Sequence, residues 1–220
     1  GARIQINPVD INVVDVPWID ADFKNSIENP YLKNSYESQL IAGLSAGYYF
    51  QTRPAAGPRA ENLSIRLTGD VNGNLLRGLT SWLGKPSTIN AGQADEESFY
   101  RIFGIRFAQY ARLSFDISQR ANLTPTTQLA WRFFVGGGVA YGNSKTLPFE
   151  RLYFAGGSNS MRGWQVRTLG PGETPYRRET YPNQLGDFRL EANLEYRFTV
   201  VGDFGMAVFL DAGNVWMNAR

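Results

Sequence analysis

Apolar and polar residues alternate with period two along most of the chain. Over residues 188–199, Phe188, Leu190, Ala192, Leu194, Tyr196 and Phe198 share one parity, and Arg189, Glu191, Asn193, Glu195 and Arg197 share the other. Successive side chains of an extended strand point to opposite faces, so this pattern predicts a strand with one apolar and one polar face. The same alternation predicts strands over 36–51, 63–71, 103–117, 127–141 and 204–216. An initial strand spans about 3–16, with Pro8 at a bulge or an edge because proline has no N–H for a ladder. These are roughly seven strands. Several exceed the ~5–6 residues usual in soluble sheets and suit the ~9–11 residues or more of a tilted membrane strand. The polar faces carry Arg, Glu, Asp and Gln, which a dry sandwich core does not accept unpaired. The apolar faces are continuous and aromatic near the strand ends, as in a lipid-facing band with its girdles.

The connections alternate in length. Those after Val16, Val71 and Tyr141 run to roughly 20–45 residues, and those after Gln51, Ile117 and Thr199 to roughly 4–10, the long-loop and short-turn rims of an outer-membrane barrel. Two long connections carry helical signals. Asp20 can cap a turn bearing Phe23 and Ile27 and ended by Asn29-Pro30; Leu75, Leu76, Leu79, Trp82 and Leu83 sit at helical spacing before Gly84 and Pro86. Each helix is expected to pack on a loop or rim, with partner binding as the alternative.

Composition narrows the chemistry. Among 220 residues there are 22 Lys and Arg against 20 Asp and Glu, a net charge of +2, too even for a nucleic-acid binder with its clustered basic excess. Cysteine and histidine are both absent, which excludes disulfides, thiolate or imidazole metal sites and a Ser-His-Asp triad. No enzyme activity, catalytic residue, cofactor or metal is expected. Mean hydropathy is −0.31, and no run approaches the ~18 apolar residues of a spanning helix; a transmembrane β-barrel has the same hydropathy because only every second residue faces lipid.

The longest connection, about 143–186, is apolar and aromatic, so it is expected to tuck against the protein, which in a barrel means the lumen. Arg162 stands out within it. Glu195 and Asp211 lie on the polar, inward faces of the two following strands, within reach of a loop tip. From physics alone, Arg162 is either a solvated loop arginine beside a plain turn at Gly163, or a guanidinium pinned among those acids. Gly136-Gly137-Gly138 lies mid-strand with no following helix, which argues against a phosphate loop and for a close approach of another segment. Asp95-Glu96-Glu97 is expected in a solvated loop, with divalent-ion binding near lipopolysaccharide as the alternative, and Ser158 and Ser160 read as turn residues. Inward Arg189, Glu191, Glu195 and Arg197 read as a structural charge ladder or a substrate path.

The run Phe154-Ala155-Gly156-Gly157-Ser158-Asn159-Ser160-Met161-Arg162-Gly163-Trp164, with Leu169-Gly170-Pro171, resembles the conserved loop of the outer-membrane protein assembly-factor superfamily, the family of BamA- and TamA-type insertases and two-partner-secretion transporters. Met161 and Trp164 depart conservatively from that loop's usual Val-Arg-Gly followed by Phe or Tyr. The segments Leu194-Glu195-Tyr196-Arg197-Phe198 and Phe209-Leu210-Asp211-Ala212-Gly213-Asn214-Val215-Trp216 match the family's next strands in the same order. The resemblance leans toward the TamA-like branch. It implies a loop motif of Gly156, Gly157, Arg162, Gly163 and Trp164, with Arg162 inserted in the lumen on Glu195 and Asp211. It further implies a barrel of sixteen strands preceded by periplasmic POTRA domains. The chain is therefore expected to be the central part of the C-terminal barrel, a partial all-β, antiparallel transmembrane barrel of about seven strands over 1–220, without the POTRA domains and final strands.

The function this implies is non-enzymatic assembly and insertion of other β-barrels in the bacterial outer membrane. Its expected partners are membrane lipid and lipopolysaccharide, unfolded barrel clients, and periplasmic or lipoprotein accessory subunits, with no nucleic acid. A two-partner-secretion pore exporting one dedicated protein is the alternative. A soluble, carbohydrate-binding β-sandwich is a third reading.

Overall fold

The structure is a computed structural model that describes residues 1–16, 18, 20, 38–52, 61–83, 87–91, 95–173 and 184–218. Its elements in chain order are β1 (Ala2–Val14), β2 (Gln39–Gln51), β3 (Glu61–Asn72), α1 (Asn74–Leu83), β4 (Ser87–Ala91), β5 (Asp95–Phe99), β6 (Arg101–Ile102), β7 (Ile105–Phe107), β8 (Tyr110–Thr124), β9 (Thr127–Ala140), β10 (Phe188–Val201) and β11 (Phe204–Trp216). The seven long strands lie side by side as β1-β2-β3-β8-β9-β10-β11, and each pairs antiparallel with the next. The β1–β2 register shifts between Asn7 and Asp10, around Pro8, where the ladder lacks a donor.

One expected strand divides. Residues 103–117 do not form a single element, because Phe103 (φ 52°) and Gly104 (φ 81°) take the left-handed turn between β6 and β7. β7 then pairs parallel with Gln39 and Leu40 of β2, where the Ala108 N–H donates to the Leu40 carbonyl at 2.8 Å. The spanning strand β8 starts only at Tyr110. Asp95, Glu96 and Glu97, expected in a solvated loop, lie in β5, which pairs with β4. The helical turn expected after Asp20 falls on residues outside those described, as do Gly84 and Pro86.

The sheet inverts the usual rule for buried and exposed side chains. On β10 the Glu191 side chain is only 1% exposed, whereas Leu194 on the opposite face is 45% exposed. Leu44, Leu67, Leu113, Val208 and Leu210 of the other long strands are exposed in the same way. In water this arrangement would be costly in both respects. In a bilayer, with the apolar face on hydrocarbon and the polar face on a lumen, it is the stable one. Among the described residues, the apolar clusters form where the 141–173 and 184–187 parts of the connection pack on the sheet. Ile41, Tyr110, Leu147, Leu152 and Leu185 make one cluster, and Tyr153, Ala155, Met161, Leu169 and Val215 a second.

α1 corrects a further expectation. Its apolar side does not pack on a loop or rim: Leu75 is 80% and Trp82 82% exposed. The polar side of the helix is the one that faces the protein.

Candidate functional site

Period-two geometry places Glu195 of β10 and Phe209 and Asp211 of β11 on the loop-covered face, and Asn193 sits directly across from Asp211. The loop tip reaches this patch. Arg162 donates in a fork to Asp211, from Nε to Oδ2 at 2.9 Å and from Nη2 to Oδ1 at 2.8 Å. Its backbone N–H donates to the same carboxylate at 3.1 Å. Nη1 pairs with Glu195, and the guanidinium lies 3.8 Å over the Phe209 ring. Asn193 Nδ2 donates to Asp211 Oδ1 and to the Ser160 carbonyl, both at 2.9 Å, while Arg197 supplies Glu195 with a second cation. The Asp211 hydrogen bonds above all, then those of Glu195, raise the Arg162 guanidinium above its already high ordinary pKa, so it stays charged at any physiological pH. The structure thus brings Arg162, Glu195 and Asp211 together.

The glycines of the loop motif play different parts. Gly156 takes φ +104°, and a Cβ there would stand 2.1 Å from the Gln165 carbonyl oxygen, so no other residue fits. Gly157 has φ +96° and accepts no ordinary side chain without strain. Gly163 faces open space. Trp164 contributes backbone, its carbonyl accepting from the Gly157 N–H at 2.9 Å, while its ring is half-exposed.

A second anchor was not legible as such. Ser160 is not a mere turn residue. Its hydroxyl donates to Glu191 Oε2 at 2.7 Å and accepts from the Gly156 N–H at 3.2 Å. Arg189 reaches the same carboxylate from Nε at 3.1 Å. Arg132 of β9 donates from Nη1 to Glu191 at 3.4 Å and to the Asn159 carbonyl at 3.1 Å, and grips Asp116 of β8 with Nη2 at 2.7 Å. The inward charges of β8, β9 and β10 therefore hold the loop as well as one another. The signal in the sequence was that Asp116, Arg132 and Glu191 each sit on the polar, inward face of their strand, but parity does not state which acid meets which base.

Aromatic packing completes the seat. The Tyr153 hydroxyl shares a 2.6 Å hydrogen bond with Ser114 Oγ, Arg112 lies 4.7 Å over its ring, and the ring lies against Gly136. A Cβ on Gly136 would come within 2.8 Å of Tyr153 Cε1, which accounts for a glycine mid-strand. Gly138 leaves room in the same way for Leu147. A cavity of about 330 Å³ remains beside Tyr153, lined by Arg66, Arg112, Asp116 and Arg189 among others. Gly136→Val is expected to displace Tyr153 and cost about 1–3 kcal/mol, the usual range for overpacking. Limited proteolysis of the folded protein checks this: cleavage within 141–187 should accelerate, and an unchanged rate would show that the ring is not held there.

A family model described as the Omp85 superfamily domain matches residues 94–219. The outer membrane protein assembly factor BamA of Neisseria meningitidis serogroup B is 30% identical to the chain over 101 residues, covering 42% of this chain and 12% of that protein. A crystal structure of BamA from Haemophilus ducreyi lacking POTRA domains 1-3 gives a TM-score of 0.34 at 16% identity, over 84% of this chain and 43% of that one. The chain thus spans under half the length of these relatives.

Proposed function

Because the chain belongs to the Omp85 superfamily, we propose that it carries the loop-bearing wall of a factor that assembles and inserts other β-barrels, without enzymatic chemistry. Its place is the bacterial outer membrane. No described helix is long and apolar enough to cross a bilayer; on this reading the strands, which carry their apolar residues outward, are what cross.

The observation that carries the reading is the Arg162 fork on Asp211 with its second contact to Glu195. A client strand inserted beside a barrel needs a wall that keeps its shape while lipid is displaced. One guanidinium bonded to acids on both β10 and β11 couples those strands through their side chains in addition to their backbone ladder. The Ser160–Glu191 contact extends the coupling toward β9 and β8. The clients on this reading are unfolded outer-membrane barrels; accessory periplasmic or lipoprotein subunits would bind elsewhere in the full protein.

Depletion of the protein followed by quantitative proteomics of the outer membrane tests the assignment. A joint fall of many unrelated barrels is the expected result. Steady barrels with loss of a single secreted protein would mark a dedicated export pore instead and overturn the insertase reading.

A further inference from the structure

The exposed side of α1 is the feature that barrel assembly leaves unexplained. The helix begins where β3 ends, and its polar side is fastened to the protein. Asn74 Oδ1 accepts hydrogen bonds from Gln109 Nε2 at 2.9 Å and from the Tyr141 hydroxyl at 3.0 Å. The Arg77 guanidinium stacks 4.0 Å over the Tyr100 ring. Thr80 is buried, its hydroxyl donating to the Leu76 carbonyl at 2.9 Å. Positions 74, 77 and 80 share one side of a helix, and positions 75, 79 and 82 share the opposite side.

That opposite side carries Leu75, Leu79 and Trp82, which are 80%, 49% and 82% exposed. The polarity of the helix is thus inverted in the same sense as that of the strands. The inversion is also continuous with theirs: Leu67 and Val71 of β3, each 40% exposed, lead directly to the helix, and Leu113 of the adjacent β8 is 60% exposed. Arg77 is the one charged residue of the ten in α1, and it points to the protein side, so nothing on the exposed side opposes contact with hydrocarbon. Tryptophan, with an apolar ring and an N–H donor, is suited to the boundary between acyl chains and head groups.

We infer that α1 lies in the membrane interface as a short in-plane helix. Leu75 and Leu79 enter the acyl region at the long-loop rim, Trp82 lies at its boundary with the head groups, and together they extend the lipid-facing band of β3 and β8. The occupant of this surface is lipid. The inference rests on the outer-membrane barrel architecture and is independent of whether the protein inserts barrels or exports a partner.

The test uses the full-length protein without other cysteines, reconstituted in vesicles of phosphatidylethanolamine and phosphatidylglycerol. Leu75→Cys and Leu79→Cys carry nitroxide labels. Leu194→Cys serves as the lipid-facing reference and Thr126→Cys, in the β8–β9 turn, as the aqueous one. Collision with oxygen and with a water-soluble nickel chelate, present on both sides of the membrane, is read by power saturation. The expected result is that both α1 labels favour oxygen over the chelate, as Leu194→Cys does. Chelate accessibility matching Thr126→Cys would overturn the inference. Labels shielded from both reagents would overturn it too, since a protein surface would then cover the helix. Heat-modified gel mobility confirms that each labelled variant is folded, and two α1 positions guard against a local defect at either.

Discussion

Arg162→Ala is expected to detach the loop tip from β10 and β11 and to lower the amount of folded protein in the membrane. The side chains concerned are 22% exposed for Arg162, 17% for Glu195 and 5% for Asp211, so the acids cannot simply turn to water when their cation is removed. Breaking a buried pair from one side costs about 3–5 kcal/mol, because the surviving charge is stranded. The two acids do not suffer equally. Glu195 keeps Arg197, whereas Asp211 keeps only neutral donors, Asn193 and the backbone N–H of residue 162. Asp211→Ala should therefore approach Arg162→Ala in severity, and Glu195→Ala should be milder. Arg162→Lys should rescue in part, since an ammonium restores the charge but not the planar fork or the stacking over Phe209. Urea titration of the heat-modifiable form, with growth of the depleted strain as a second readout, checks the order. Equal tolerance of Arg162→Ala and Arg197→Ala, the latter a change at a side chain 45% exposed and worth about 0–1 kcal/mol, would remove the case for a pin.

Most of this architecture is written in alternation. Over β10 the parity of apolar and polar residues carries through nearly the whole strand, and a one-residue slip would exchange the lipid-facing side chains for charged or amide ones. Alternation tells that two faces differ, not which one is covered. Here the decision came from the charges themselves, which a dry core rejects. The same ambiguity defeated the reading of α1, whose spacing defines an apolar side but does not say whether that side meets protein or lipid. Period two also ran past the break at Phe103 and Gly104, since Phe103, Ile105 and Phe107 keep the parity of a single strand while positive φ at two residues reverses the chain. Cross-strand partnership was the least legible feature. Arg132 and Asp116 are 16 positions apart, and Arg132 and Glu191 are 59 apart. Their meeting depends on the registers of β8, β9 and β10, which no local pattern specifies. Arg162, by contrast, was marked by its setting, an arginine within the glycine-rich stretch of an apolar loop followed by two strands with inward acids, and by the loop motif that resembles the family's.

Glu191→Ala is expected to be nearly as damaging as Arg162→Ala, although Glu191 belongs to no loop motif. Its side chain is 1% exposed and receives Arg189, Arg132 and the Ser160 hydroxyl. The charges around it balance: Arg132 and Arg189 face Asp116 and Glu191. Alanine leaves one guanidinium too many in a confined site, together with the Ser160 hydroxyl that had a charged acceptor. The expected loss is again about 3–5 kcal/mol. Glu191→Gln separates the contributions, because the amide oxygen can still accept from Ser160 or Arg189 while the countercharge is gone; it should fall between alanine and the native residue. Ser160→Ala removes one hydrogen bond to a charged acceptor and should cost about 1.5–3 kcal/mol. The same urea titration, joined by proteolysis of the 141–187 connection, distinguishes an anchor from an ordinary wall residue. If Glu191 holds the loop, Glu191→Gln and Ser160→Ala both open the connection to protease before the sheet itself unfolds. If it serves only the strands, loop cleavage and sheet unfolding shift together, and Ser160→Ala moves neither.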